Sequence, residues 1–429
     1  MSVHSSISRA FILMSFVLSA SFIHAQQPDI PSTLKLEEAI RLVIDRNPSL
    51  AAAKYEIQAA EGEAIAANKR LNPTFSLEFE DLPLSSQPGP FFEVQEITSR
   101  VDFEIEMGGR RRLRTETAEQ SLEVKKLMYR DRIRLMRLQV EQAFYREVLE
   151  KSNLEASQLI LEQTERVITL NQVRFEQGDI SALELNRIEV ERLKFQDDVF
   201  QAELALCNAK SSLLALLNAP DLSRDIEIVG LLPVNYQDPE PGLPARASLQ
   251  EMIQIAMQQR PDLAAGRREI IRSETEARLQ RAIRAPNITV GGGYKRNPAG
   301  NAVVVGVTVP LNIFNRNEGE IIRADAERAR ASNLAAALRK QVQLDVQKAF
   351  NAVEINRRRV EYIRTQQLER AEEASRVTLQ SYNLGGATLI DYLDAQRTYR
   401  DALRLYNQAL YDERISLYAL SSSIALGAQ

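Results

Sequence analysis

Proline and glycine are missing from two long stretches of the chain, 110–177 and 320–384, and each stretch ends on a glycine, Gly178 and Gly385. Continuous helix over either stretch would reach roughly 100 Å at about 1.5 Å per residue. A compact catalytic domain has no use for two such rods. Tryptophan is absent, so no interfacial belt can depend on it. The single cysteine, Cys207, excludes an intramolecular disulfide; its place among Leu204, Leu206 and Leu213 predicts a small, buried, apolar side chain. No stretch approaches the run of about 18 apolar residues that a membrane-spanning helix needs.

Histidine is nearly absent, and its two positions, His4 and His24, both fall in a leader. Arg9, the apolar run from Ala10 to Ala20 and the small Ala25 predict a signal peptide over residues 1–25. Cleavage there removes all imidazole. With one thiol left, soft and borderline metal sites and histidine-based catalysis cannot be built within one copy. The carboxylates are spread over helix faces rather than gathered as dyads. The chain reads as a non-enzyme, with no catalytic residue, no cofactor and no resident metal. A net charge of −4 gives no nucleic-acid signal.

What is present is periodic. In the first rod Ile133, Met136, Val140, Phe144 and Val148 recur at spacings of three and four, with Arg134, Arg137, Glu141, Arg146 and Glu147 between them. In the second, Val342, Val346, Phe350 and Val353 alternate with Gln343, Asp345, Lys348 and Glu354. Such spacing predicts one apolar stripe and one wet face on each rod. An ordinary coiled coil would show the same pattern.

The two halves of the chain repeat each other. Residues 36–50 (LEEAIRLVIDRNPSL) match 249–263 (LQEMIQIAMQQRPDL), and Pro73 matches Pro286 at the same offset. Beyond the rods, Phe175-Glu-Gln-Gly178 matches Tyr382-Asn-Leu-Gly385. A period of about 210 residues marks a duplicated domain rather than a solenoid of short units. The predicted organisation is a first repeat over 26–220, a proline-rich connector over 221–246 and a second repeat over 247–429. Each repeat carries a helix, two strands, a long helix, a tip turn and a return helix.

The strand candidates alternate with period two. Phe75, Leu77 and Phe79 alternate with Ser76, Glu78 and Glu80; Ile97, Val101, Phe103 and Ile105 alternate with Thr98, Arg100, Asp102 and Glu104. In the second half Val303, Val305, Val307, Val309 and Leu311 share one face. The loops 83–90 and 297–301 join each pair of strands. Four strands cannot close a barrel, and an open edge in lipid leaves backbone groups unpaired. Either the sheet is soluble and packs on helices, or several chains pool their strands.

Over essentially the whole mature length the chain resembles the TolC-type outer-membrane factor family. The likeness rests on the duplication, the N-P-x-L and R-P-x-L helix ends, residues 309–319 (VPLNIFNRNEG) and, most specifically, residues 382–397 (YNLGGATLIDYLDAQR). Residues 106–111 (EMGGRR) also resemble a stretch of the cobalt–zinc–cadmium (CzcC-like) branch. The resemblance implies a mainly α fold with a small β part. Duplicated long-helix hairpins would form a periplasmic α-barrel, and four strands per chain would enter a trimeric, twelve-stranded transmembrane β-barrel.

The implied role is the passive outer-membrane duct of a tripartite efflux system, with metal cations as cargo. A drug-efflux or type I secretion duct and a periplasmic structural coiled coil are the competing readings. Implied partners are two further copies of the chain, a periplasmic adaptor, an inner-membrane transporter of the resistance-nodulation-division type or similar, and outer-membrane lipid. By the same resemblance Asp391 and Asp394 face the lumen as an acid ring. Tyr382 and Glu184 match a gate tyrosine and its facing acid, while Ala387 stands where the family has a gate arginine. Gly178 and Gly385 are the tips that would meet the adaptor. Arg110, Arg111, Arg112 and Arg114 crowd the start of the first rod, where positive charge opposes the helix dipole and calls for lipid phosphates or a neighbour's carboxylates to offset it.

Overall fold

The structure is a computed structural model and describes residues 30–81, 96–230, 232, 248–297 and 299–426. The predicted signal peptide, the loop 83–90 and most of the proline-rich connector lie outside the described residues.

The breaker-free stretches fold as expected. Helix α3 (Arg110–Glu176) runs for 67 residues and ends where Gly178 takes a φ of +82°. Helix α4 (Ala182–Leu216) returns along it. The second rod differs in one respect from a single α-helix: α7 (Glu318–Ile363) is followed by a π turn over Arg364–Leu368 and then by α8 (Glu369–Asn383). No residue of the π turn is buried, and the buried stripe resumes at Ala371, Ser375 and Tyr382. The inserted turn resets the phase at which the rod meets its neighbours. Gly385 then reverses the chain with a φ of +79°, and α9 (Leu389–Ser423) returns against α7, α8 and α3.

Shorter helices flank the sheet ends of the rods. They are α1 (Leu36–Arg46) and α2 (Pro48–Asn68) in the first half, α5 (Leu249–Gln259) and α6 (Pro261–Ala282) in the second. Pro48 and Pro261 each stand at the first helical position, where the missing N–H would have had no partner anyway. Among the described residues no helix is long and apolar enough to cross a membrane.

Two strands from each half make one antiparallel sheet, in the order β2 (Thr74–Glu80), β3 (Glu96–Ile105), β5 (Ile288–Asn297), β6 (Gly300–Thr308). The β3–β5 pairing joins the halves, with Val101 opposite Gly292 and Phe103 opposite Val290. Val309 and Leu311 lie past the end of β6 rather than in it. Phe75, Leu77, Phe79, Val101, Phe103, Tyr294, Val303, Val305 and Val307 all stand exposed on one face. A separate pair of short parallel strands, β1 (Thr33–Leu34) and β4 (Glu227–Ile228), brings the start of the connector beside the chain's first described residues.

Three apolar clusters hold the rods together. The middle one combines β1, α1 and β4 with Val140, Phe144, Val148 and Leu149 of α3, and with Leu213, Leu214 and Leu217 at the end of α4. A second, nearer the sheet, joins Met252 and Ala256 of α5 to Val342, Val346 and Val353 of α7 and Leu417 and Leu420 of α9. The third lies at the tips.

Three expectations are corrected. Cys207 is exposed, not buried. The buried seam of α4 repeats every seven residues through Ile188, Phe195, Ala202 and Ala209, and Cys207 lies off it. The wet face expected on α3 is not wet throughout: Arg134, Glu141 and Glu147 are buried, because α3 packs against α4, α6 and α9 on different sides. Two of the four arginines at the start of α3, Arg110 and Arg114, find their offset within the chain itself. Arg110 donates to the carbonyls of Ile283 and Ala285 just past α6, and Arg114 pairs with Glu106 and donates to the Ala67 carbonyl at 3.0 Å. Each cation thus sits at another helix's C-terminal end, where positive charge is favoured.

Candidate functional site

The tips are built from two matching turns. On one side Ser181 caps α4, accepting from the Glu184 amide while the Glu184 carboxylate accepts from the Ser181 amide at 3.0 Å. On the other, Thr388 and Asp391 cap α9 in the same reciprocal way, with the Asp391 carboxylate taking the Thr388 amide at 2.9 Å. Such capping boxes fix the direction in which each return helix leaves its turn. A Cβ added at Gly178 or Gly385 would meet no atom of the described residues within 4 Å, and it is positive φ that calls for glycine there. Leu384 beside it projects almost fully into solvent.

Behind the tips lies the third cluster, formed by Val167 and Ile168 of α3, Ile188 of α4, Tyr382 of α8 and Leu389, Tyr392 and Leu393 of α9. Tyr382 is buried, stacks on Tyr392 with ring centroids 5.9 Å apart, and donates its hydroxyl proton to Asn171. Arg174 lies over its ring at 5.3 Å and donates to the Asn383 carbonyl. Tyr392 is fully enclosed, and burial pushes its hydroxyl up to about 12. It therefore stays a neutral hydrogen-bonding group at any physiological pH.

The residues singled out from sequence are only partly brought together. Tyr382 bonds Asn171, and Glu184 is engaged in its own cap, so the hydrogen bonds of the two run to different partners. Ala387 packs against the tip cluster. Asp391 is exposed, and the Thr388 hydroxyl and amide hold its carboxyl below the usual range. Asp394, exposed on the same helix, accepts from Arg397 at 2.9 Å. Among the described residues no group of three His, Cys, Asp or Glu side chains is placed to hold a metal ion.

Reading the sequence missed the polar ladder that joins α4 to α9. Arg397 donates two hydrogen bonds of 2.6 Å to the buried Glu191, holding that carboxyl below its ordinary value. One turn farther from the tip, Arg400 pairs with Asp198 at 2.9 Å and Arg404 with the other oxygen of Asp198 at 3.2 Å. The seven-residue spacings, 191 to 198 and 397 to 404, were the available signal.

The chain is similar to known proteins over most of its length. The sequence profile of the family described as outer membrane efflux protein matches residues 39–219 and 252–426. The cobalt-zinc-cadmium resistance protein CzcC of Cupriavidus metallidurans is 27% identical over 369 residues, covering 85% of this chain and 84% of that protein. The pyoverdine export outer membrane protein OpmQ of Pseudomonas putida is 23% identical, covering 91% of this chain and 84% of that one. The crystal structure of CusC, which forms a transmembrane channel, superposes with a TM-score of 0.77 at 16% identity over 91% of each chain. The chain belongs to the outer membrane efflux protein family, and it is an outer-membrane channel protein rather than an enzyme.

Proposed function

We propose that the chain is the passive exit duct of a tripartite export system, working as a homotrimer whose three sheets close into one twelve-stranded barrel. The observation that carries this reading is the sheet itself. Its apolar face is exposed along all four strands, while both edge strands, β2 and β6, have only one neighbour. In lipid the exposed face is satisfied, but the open edges are not; pairing β6 of one copy with β2 of the next removes them. The rods then extend into the periplasm as a sheath of helices. The tips at Gly178 and Gly385 meet a periplasmic adaptor, and an inner-membrane transporter supplies the driving force.

Metal cations are the proposed cargo. The CzcC likeness extends over most of both chains, and the carboxylates of Asp391 and Asp394 are exposed near the tip. Three copies would bring six acids to one constriction and raise the local concentration of cations. The likeness to a pyoverdine exporter keeps a chelator as the rival cargo.

Two measurements test the proposal. The purified protein is expected to run as a trimer in detergent; a monomer soluble without detergent would remove the barrel. Cells lacking the chain are expected to lose tolerance to cobalt, zinc or cadmium and regain it on complementation. Unchanged metal tolerance with impaired chelator export would move the cargo to the rival class.

A further inference from the structure

We propose that Arg100 and Asp102 set the charge preference of the exit barrel, as an ion pair laid flat against the wall on a floor of glycine. The inference rests on the sheet being one third of a closed barrel with its polar face toward the bore. On β3 both residues point to the face opposite Val101 and Phe103, and Arg100 Nε donates to Asp102 Oδ1 at 2.7 Å. Strand register places Gly293 opposite Arg100 and Gly291 opposite Asp102, with Gly306 next in the row beyond Gly291.

These glycines leave the space that the pair fills. A Cβ on Gly291 would overlap the Asp102 carboxylate and lie 2.6 Å from Arg100 Nε; one on Gly306 would lie 2.9 Å from Arg100 Nη2. Gly291 is buried beneath the pair, although it belongs to a sheet whose residues are otherwise largely open. Only about a quarter of either side chain is exposed, 25% for Arg100 and 23% for Asp102. A long cation that would otherwise project into the passage therefore lies along its wall. The floor keeps the bore wide, and the pairing keeps that level nearly neutral.

The surrounding charges give the pair its leverage. Among the described residues of the sheet the other base on that face, Lys295, is tied to Glu96, while Glu78, Glu80 and Glu104 are acids on the same side. Arg100 is thus the base that offsets the acids at the middle of the wall. In a narrow water-filled passage a ring of like charges governs which ions enter. Removing either partner would expose such a ring, of opposite sign in the two cases.

The test is the reversal potential of the purified protein in a planar bilayer under a potassium chloride gradient. R100Q is expected to shift it toward the cation limit and D102N toward the anion limit. G306A is expected to lower single-channel conductance by lifting the guanidinium off the wall, with the trimer still present on a native gel. Shifts in opposite directions support the proposal. No shift, or shifts in the same direction, in variants that remain trimeric would overturn it. A parent protein that forms no channel refutes the barrel reading instead.

Discussion

Arg397 on α9 holds the buried carboxylate of Glu191 on α4 through two hydrogen bonds of 2.6 Å, joining the return helices of the two halves just behind the tips. The Glu191 side chain is 4% exposed, so its charge depends on this partner and on Lys194 at 3.2 Å. Arg397→Ala leaves that carboxylate desolvated with weaker support. The expected loss is about 2 kcal/mol of stability, read as earlier thermal unfolding in detergent. Replacing both residues by leucine should recover much of it, because the uncompensated charge is gone. The Glu191 pKa is depressed, so the stabilisation from this pair is full above the ordinary carboxylate range and fades as pH falls through the lowered folded value. A double variant as unstable as Arg397→Ala would show that the packing of the arginine stem, not the pair, matters.

Two other buried acids behave in the opposite sense. Burial raises Glu141 and Glu147 to about 7, and among the described residues Glu147 Oε2 has no hydrogen-bond partner. A folded-state value above the unfolded one means the native chain binds more protons between about 4.5 and 7. Stability should therefore fall as pH rises through that window. Glu147→Gln is expected to raise the melting temperature at pH 8, by the equivalent of about 2 kcal/mol, and to change it little at pH 4. An equal effect at both pH values would rule out titration of Glu147 as the cause.

The tips separate backbone from partner. Gly178 and Gly385 have positive φ and open space around them, so replacement by a bulky side chain strains each turn without a clash. The local cost should be about 1 kcal/mol at each site. The trimer is expected to survive, since the sheet lies at the other end of rods roughly 100 Å long. Export in cells is expected to fall, because the added side chain occupies the surface an adaptor would approach. Full export by both variants would leave these glycines as helix ends and nothing more.

The rods and the sheet were legible because each leaves a signal in the chain alone. The missing breakers mark α3, and period-two alternation marks β2, β3 and β6. The interior was harder to read because a helix in a sheath has more than one neighbour. Arg134 looks like a surface residue by spacing, yet it is buried and donates to the Ser422 carbonyl at 3.0 Å. Cys207 misled for a related reason: Leu204 and Leu206 suggested the wrong stripe, while the real seam is made partly of alanines. The glycine turns at the tips were legible, but the side-chain pairings behind them were not. Nothing local to Tyr382 announces Asn171, which lies on a different rod.

The carboxylates at the tip need a test that spares the fold. Asp391 is part of the α9 capping box, so alanine there would remove half of that box as well as a charge. Asparagine keeps an acceptor for the Thr388 amide and removes only the charge. Asp394 can also be changed to asparagine, because Arg397 retains both hydrogen bonds to Glu191. In a planar bilayer the D391N/D394N double variant is expected to show weaker block of current by multivalent cations than the parent. The proposed trimer would gather three copies of each acid at one constriction, where a divalent ion would interact with several charges at short range. Raising salt should weaken the block in the parent, since the Debye length shrinks from about 10 Å at 0.1 M to about 3 Å at 1 M. The double variant should respond less to salt. Unaltered block, with helix content and trimer intact, would place these acids away from the lumen.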